Sequence, residues 1–227
     1  MIFLKNNRGI FIAVEGTIGV GKTTLANILT ENYKAVALRE IVEENPFLSK
    51  FYTDISEYAL QTEAFFLFNR IKQLEDTEKN HLTNGEMVVS DYHIVKNLIF
   101  AGITLNSLNR THFYNYKQMY NTFVNELPQP DVVIYLHSET DVLMKRIAMR
   151  DRSFERKMDR NYIDELNGEY KYYFSPRSIK HNFMGKAPIV LNIDNSNLDF
   201  LNKDEDRQYI IGEVDKAIEK IRKNRNV

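Results

Sequence analysis

The 227-residue sequence predicts an α/β fold in which a five-stranded parallel sheet carries helices on both faces. Three observations lead there. Short β-rich runs at 10–15, 35–39, 87–90, 132–136 and 189–193 alternate with helical patterns at 22–33, 55–79, 105–126, 141–150, 162–174 and 206–223. A glycine-rich turn stands directly between the first run and the first helix. Breakers sit where that alternation needs them: Pro128 and Pro130 end the central helix, and Gly185 and Pro188 introduce the fifth strand.

With no repeat, low-complexity segment or linker, the pattern implies one domain over residues 1–227. In such sheets ligands bind where strands end and helices begin. The residues at those ends are Gly16, Glu40, Asp91 and Asp194, three of them carboxylates.

Composition excludes several functions. A net charge of −1 gives no electrostatic case for nucleic acid or an anionic membrane as partner. The absence of cysteine removes disulfides, thiolate catalysis and thiolate metal sites. The five histidines are scattered, with no pair at ligand spacing. No apolar run approaches membrane-spanning length and no secretory leader is visible, so a cytoplasmic location is expected.

The turn after the first strand reads GTIGVGKTT over residues 16–24, matching G-x-x-x-x-G-K-[ST]. Gly16, Gly19 and Gly21 let backbone N–H groups, with those of Thr17 and Thr24, curl around phosphate oxygens at a helix N-terminus. Lys22 is expected on the β/γ-phosphates of ATP, and the Thr23 hydroxyl on Mg²⁺. The third strand ends in Asp91, the pattern of a second metal-positioning carboxylate. No guanine-reading N-K-x-D follows, since residues 202–205 read NKDE, which argues against a GTPase switch. Arg146, Arg150, Arg152 and Arg156 cluster after the fourth strand. That spacing suggests a lid over a transferring phosphoryl group, at about residues 150–160.

The helix 55–79 raises a separate question. Glu63, Phe66 and Arg70 share one face of an otherwise aromatic segment, with ~10 Å of rise between the charges, room for a flat ligand. Alone, such charges read as solvated.

Six stretches together resemble the deoxynucleoside kinases, most nearly the bacterial deoxyguanosine/deoxyadenosine kinase branch. They are GTIGVGKTT, REIVEENPFLSKFY (39–52), QTEAFFLFNRIKQLEDT (61–77), SDYHIVKNLIFA (90–101), RIAMRDRSFE (146–155) and VLNIDNSNLDF (190–200). The resemblance implies transfer of the ATP γ-phosphoryl group to the 5′-hydroxyl of a deoxynucleoside, with Glu40 as the base and Glu43 and Glu44 as runners-up. It implies Tyr52 and Glu155 on the sugar 3′-hydroxyl, and Arg150 and Arg152 in the lid. Asp199 and Phe200 would lie against adenine, and dimerisation would use the two long helices at 55–79 and 105–126.

Two departures stand out. Asp91-Tyr92-His93 replaces the D/E-R-S of many relatives, and Glu63 stands where many carry a base-reading glutamine. A carboxylate only accepts hydrogen bonds, which suits the N1–H and N2–H₂ donors of guanine and mismatches adenine N1. Arg70 would donate toward guanine O6 or N7, as would the amide of Asn97, with Phe66 against the ring. A purine deoxynucleoside, deoxyguanosine preferred, is the expected substrate. A nucleoside monophosphate kinase is disfavoured because Glu40, Glu43 and Glu44 would repel an acceptor phosphate. A nucleotide-gated switch is disfavoured because it needs no second pocket with a buried acid.

Overall fold

The computed structural model describes residues 8–42, 44–152, 155–156, 158–178 and 187–225. Five parallel strands, β1 (Phe11–Glu15), β2 (Val36–Leu38), β3 (Val88–Ser90), β4 (Val132–His137) and β5 (Ile189–Asp194), form one sheet in the order β2-β3-β1-β4-β5. The central strand β1 is wholly buried, as a strand covered on both faces must be. Its side chains alternate in the expected way. Ile12 and Val14 join the core that holds Leu25 and Leu29 of α1 (Lys22–Tyr33), while Phe11 packs with Leu67 and Leu74 of α3 (Ile55–Asn80). Between β2 and α3 lies the short helix α2 (Leu48–Phe51), which the sequence pattern did not single out.

Helix starts are chemically marked. Asp54 caps α3 by accepting from the Glu57 N–H at 3.1 Å, and Asp159 caps α7 (Arg160–Tyr173) by accepting from Asn161 N–H at 2.9 Å. The expected single helix at 105–126 is two. Helix α4 (Lys96–Leu108) ends at Asn109, which turns extended (φ −155°, ψ 103°). Its side chain accepts from the N–H groups of Thr111 and His112 and starts α5 (Arg110–Val124). Further along the chain lie a 3₁₀ turn (Leu82–Asn84) and the helices α6 (Thr140–Arg150) and α8 (Asp204–Arg225). Among the described residues no helix is long and apolar enough to cross a membrane.

Candidate active site

Gly16 to Gly21 turn the chain sharply from β1 into α1. Gly16 has φ +148°, and a Cβ there would lie 2.1 Å from the carbonyl oxygen of Leu136. Gly21 has φ +101°, and its Cβ would stand 3.1 Å from the Phe200 ring. Only glycine fits both positions. Lys22 folds back over the loop, its Nζ donating to the carbonyls of Gly16 and Thr17 at 2.7 and 3.0 Å. Burial and the nearby Lys96 ammonium lower its pKa to about 8.

This loop forms one end of a cleft of about 1080 Å³. Gly19, Gly21, Lys22, Thr23 and Thr24 line it, opposite Arg146, Arg150 and Arg152 and beside Asp199 and Phe200. Gly16 and Thr17 do not line it. The Gly16 N–H is taken by Glu15 at 2.8 Å, and the Thr17 hydroxyl by Asn167 at 3.0 Å, so both shape the loop from below. Arg146 is fixed by the carbonyls of Asn195 and Leu198. Arg150 makes a forked pair with Glu155, with contacts from 2.6 to 3.1 Å. Arg156 instead pairs with Asp151 on the exposed surface. Of the expected lid, residues 153, 154 and 157 lie outside the described residues, as does Glu43.

The other end of the cleft is built on α3 and α4. Asp91 links the two ends. One carboxylate oxygen accepts from the Thr23 hydroxyl and the other from the Glu40 N–H, each at 2.8 Å. A hydroxyl and a carboxylate meeting in the cleft are oxygen donors of the kind that suit Mg²⁺.

Glu40 is paired on both sides, with the Arg70 guanidinium and with Lys96 Nζ at 2.8 Å. Burial opposes its ionisation, but Lys96 and Arg70 outweigh that and hold the carboxyl well below the usual range. Arg70 is itself nearly sealed, stacked over Phe66 (4.8 Å) and Tyr92 (5.5 Å), and its Nε–H is left without a hydrogen-bond partner. The Tyr92 hydroxyl donates to Gln73 at 3.1 Å, so the position beside Asp91 supplies an aromatic floor rather than a charge.

Glu63, only 3% exposed, lines the cleft with Phe66 and Arg70. Burial pushes its carboxyl up to about 7, against the opposing pull of Arg70 and a Thr104 hydroxyl 3.2 Å away. Tyr52 and Glu155 also line the cleft. Burial and the Glu155 charge raise the Tyr52 phenol above its ordinary value.

Three expectations from sequence need correction. Asn97 does not line the cleft. Its oxygen accepts from Arg70 at 2.8 Å and its amide donates to the Tyr116 hydroxyl at 3.0 Å, so it braces Arg70 from behind. Asp194 is exposed and only caps Ser196, whose neighbour Asn195 lines the cleft instead. The ends of β2 and β3 are not purely acidic: Arg39, Arg70 and Lys96 line the cleft there with Glu40 and Glu44. Charge repulsion is therefore not an argument against an acceptor phosphate. Lys96 was missed because one lysine in the apolar run after β3 carries no pattern.

The comparisons with known proteins agree with this geometry. The family model described as deoxynucleoside kinase matches residues 12–219. A deoxyguanosine kinase of Bacillus subtilis is 39% identical over 213 residues, covering 93% of this chain and 99% of the relative. A deoxyadenosine kinase of Lactobacillus acidophilus is 28% identical, covering 92% and 97%. Among solved structures, deoxyadenosine kinase from M. mycoides with bound dATP superposes with a TM-score of 0.75 at 25% identity, covering 91% of this chain and 99% of the other. The match along nearly the whole length, joined to a glycine-rich loop that lines one cleft with Glu40, Glu63 and Arg70, means that this chain belongs to the deoxynucleoside kinase family.

Proposed function

We propose that this kinase, as one domain, transfers the γ-phosphoryl group of ATP to the 5′-hydroxyl of a purine deoxynucleoside, with deoxyguanosine preferred. The observation that carries the purine reading is Glu63, a buried acid in the cleft wall on the same helical face as Phe66 and Arg70. Ionised, it accepts from guanine N1–H and N2–H₂ together, while the Arg70 guanidinium on the same helical face donates toward O6 or N7. Facing adenine, the same carboxylate meets the N1 lone pair, at a cost of about 1–3 kcal/mol. The 39% identical relative named deoxyguanosine kinase supports the same preference.

The loop 16–24 takes the ATP phosphates, Lys22 swings from its carbonyl contacts onto them, and Arg150 and Arg152 cover them from the lid. Thr23 and Asp91 hold Mg²⁺, which when bound offsets charge on the phosphates. Tyr52 and Glu155 hold the sugar 3′-hydroxyl, and Glu40 receives the 5′-hydroxyl proton. Because its carboxyl is held ionised, Glu40 orients the nucleophile as a hydrogen-bond acceptor and takes the proton late, as a loose transition state requires.

The apolar side chains Ile55, Leu60 and Phe68 of α3, with Leu108, Tyr114 and Phe123 of α4 and α5, are exposed. They support a dimer through these helices. Cytoplasmic salvage, without nucleic acid or membrane as partner, is the setting this chemistry fits.

The test is ATP turnover with and without deoxyguanosine, in Mg²⁺ and in excess chelator. ADP release that needs both the nucleoside and the metal is expected. Release indifferent to the nucleoside would refute the proposal.

A further inference from the structure

Lys96 is the first residue of α4, and it is 8% exposed. Both facts are unfavourable for a lysine: helix N-termini repel cations, and burial strips the ammonium of water. It also shares its cleft wall with a second cation, since Lys22, the first residue of α1, lines the same cleft. Its Nζ pairs with Glu40 at 2.8 Å and lies over the Phe100 ring, 5.3 Å from the centroid. Glu40 does not need it for neutrality, because Arg70 already pairs with the same carboxylate. A hydrogen-bonded path runs from Lys96 through Glu40 and Asp91 to Thr23, next to Lys22. The ammonium therefore sits at the junction of the proton acceptor and the phosphate-binding loop.

We propose that Lys96 is a catalytic residue, a second cation facing Lys22 that contacts the transferring phosphoryl group while its other side holds Glu40. Two cations that line one cleft, each the first residue of its own helix, form an arrangement made for an anion arriving between them. In the reaction the nucleoside 5′-oxygen forms the new bond to the γ-phosphorus. The bond to the β,γ-bridging oxygen breaks with its electron pair leaving on ADP, and the 5′-hydroxyl proton passes to the Glu40 carboxylate. Negative charge grows on the bridging oxygen and stays on the phosphoryl oxygens, and Lys22 and Lys96 flank that charge from opposite sides. The inference rests on the proposed roles of the loop and of Glu40.

The test combines Lys96→Met, Lys96→Gln and Lys96→Arg with steady-state kinetics and with calorimetric binding of deoxyguanosine. Removing one preorganised donor to a transition-state charge typically lowers kcat by about 10²–10³-fold. That loss is expected in both Lys96→Met and Lys96→Gln, with the dissociation constant for deoxyguanosine changed by less than about threefold, because only the transition state has lost its partner. Lys96→Arg, which keeps the charge, should recover kcat to within about tenfold of the parent.

The proposal is overturned if either neutral variant keeps kcat within about threefold. It is equally overturned if the loss lies wholly in nucleoside binding, or if Lys96→Arg is as impaired as Lys96→Met. Lys96→Gln keeps the length and polarity of the side chain, so the test stands even if Lys96→Met does not fold. Should Glu40→Gln retain normal kcat while the Lys96 variants lose theirs, the proton-acceptor assignment falls and the phosphoryl contact stands.

Discussion

Glu63→Gln isolates the chemistry of purine choice because it changes one atom in a wall that is otherwise fixed. The side chain is 3% exposed, near the Thr104 hydroxyl, and its neighbour Arg70 is locked between Phe66, Tyr92, Asn97 and Glu40. The substituted amide keeps the shape while an N–H₂ replaces one carboxylate oxygen. Guanine then loses one acceptor for its N1–H/N2–H₂ edge, whereas adenine gains a donor for N1 and keeps an acceptor for N6. Hydrogen bonds to a charged group contribute about 1.5–3 kcal/mol, so kcat/KM for deoxyguanosine should fall roughly 10–100-fold. Deoxyadenosine should fall much less or improve.

The wild-type protein offers the same comparison without mutation. Because burial pushes the Glu63 carboxyl up to about 7, the acid changes protonation near neutral pH. Below about pH 7 the protonated acid has an O–H for adenine N1; above it the carboxylate accepts from guanine. The ratio of kcat/KM for deoxyguanosine over deoxyadenosine should therefore rise with pH between 6 and 8. The limit is about tenfold per pH unit if each purine uses only one protonation state. In Glu63→Gln that rise should vanish. The assay is kcat/KM for both nucleosides across this range in both proteins. A ratio unchanged by the substitution and flat with pH would return Glu63 to the status of an ordinary buried charge.

Two other substitutions probe the transfer step. Glu40→Gln should lower kcat by about 10²–10⁴-fold while both substrates still bind, with Glu44→Gln near normal; the reverse pattern in single-turnover rates would relocate the proton acceptor. Lys22→Ala should lower turnover by the same factor for every deoxynucleoside, because it removes phosphate positioning and leaves the base pocket untouched; a substrate-dependent loss would contradict its place on the loop.

Much of this was legible in the sequence because the strongest signals are local. Runs of four to six apolar residues between helical stretches locate all five strands to within a residue or so at each end. The glycines at 16, 19 and 21 announce a backbone that only glycine adopts. What stayed hidden depends on tertiary neighbours. The break at Asn109 is invisible to helical periodicity, since an asparagine inside a helix and one that caps the next helix look alike until its side chain finds the N–H groups of Thr111 and His112. Helix α4 starts earlier than expected because its first turns read LIFAGI after Lys96 and Asn97, an apolar run with no polar face to mark a helical period. Asn97 was misplaced by one helical face, a matter of which neighbour, Tyr116 or the cleft, its amide meets. The cationic partners of Glu40 were the largest omission: Arg70 was expected on the base and pairs with Glu40, 30 residues away in sequence, while Lys96, 56 residues beyond Glu40, was not singled out.

The central claim is that this deoxynucleoside kinase takes a purine, and guanine before adenine. It is tested most directly by giving the enzyme ATP, Mg²⁺ and an equimolar mixture of deoxyguanosine, deoxyadenosine, deoxycytidine and thymidine at pH 7.5 and quantifying the four monophosphates at early times. Product amounts under competition report ratios of kcat/KM and need no separate saturation curves. The account predicts deoxyguanosine monophosphate as the dominant product, deoxyadenosine monophosphate second, and the pyrimidine products far below both. A mixture dominated by deoxyadenosine monophosphate, or by either pyrimidine product, would contradict it.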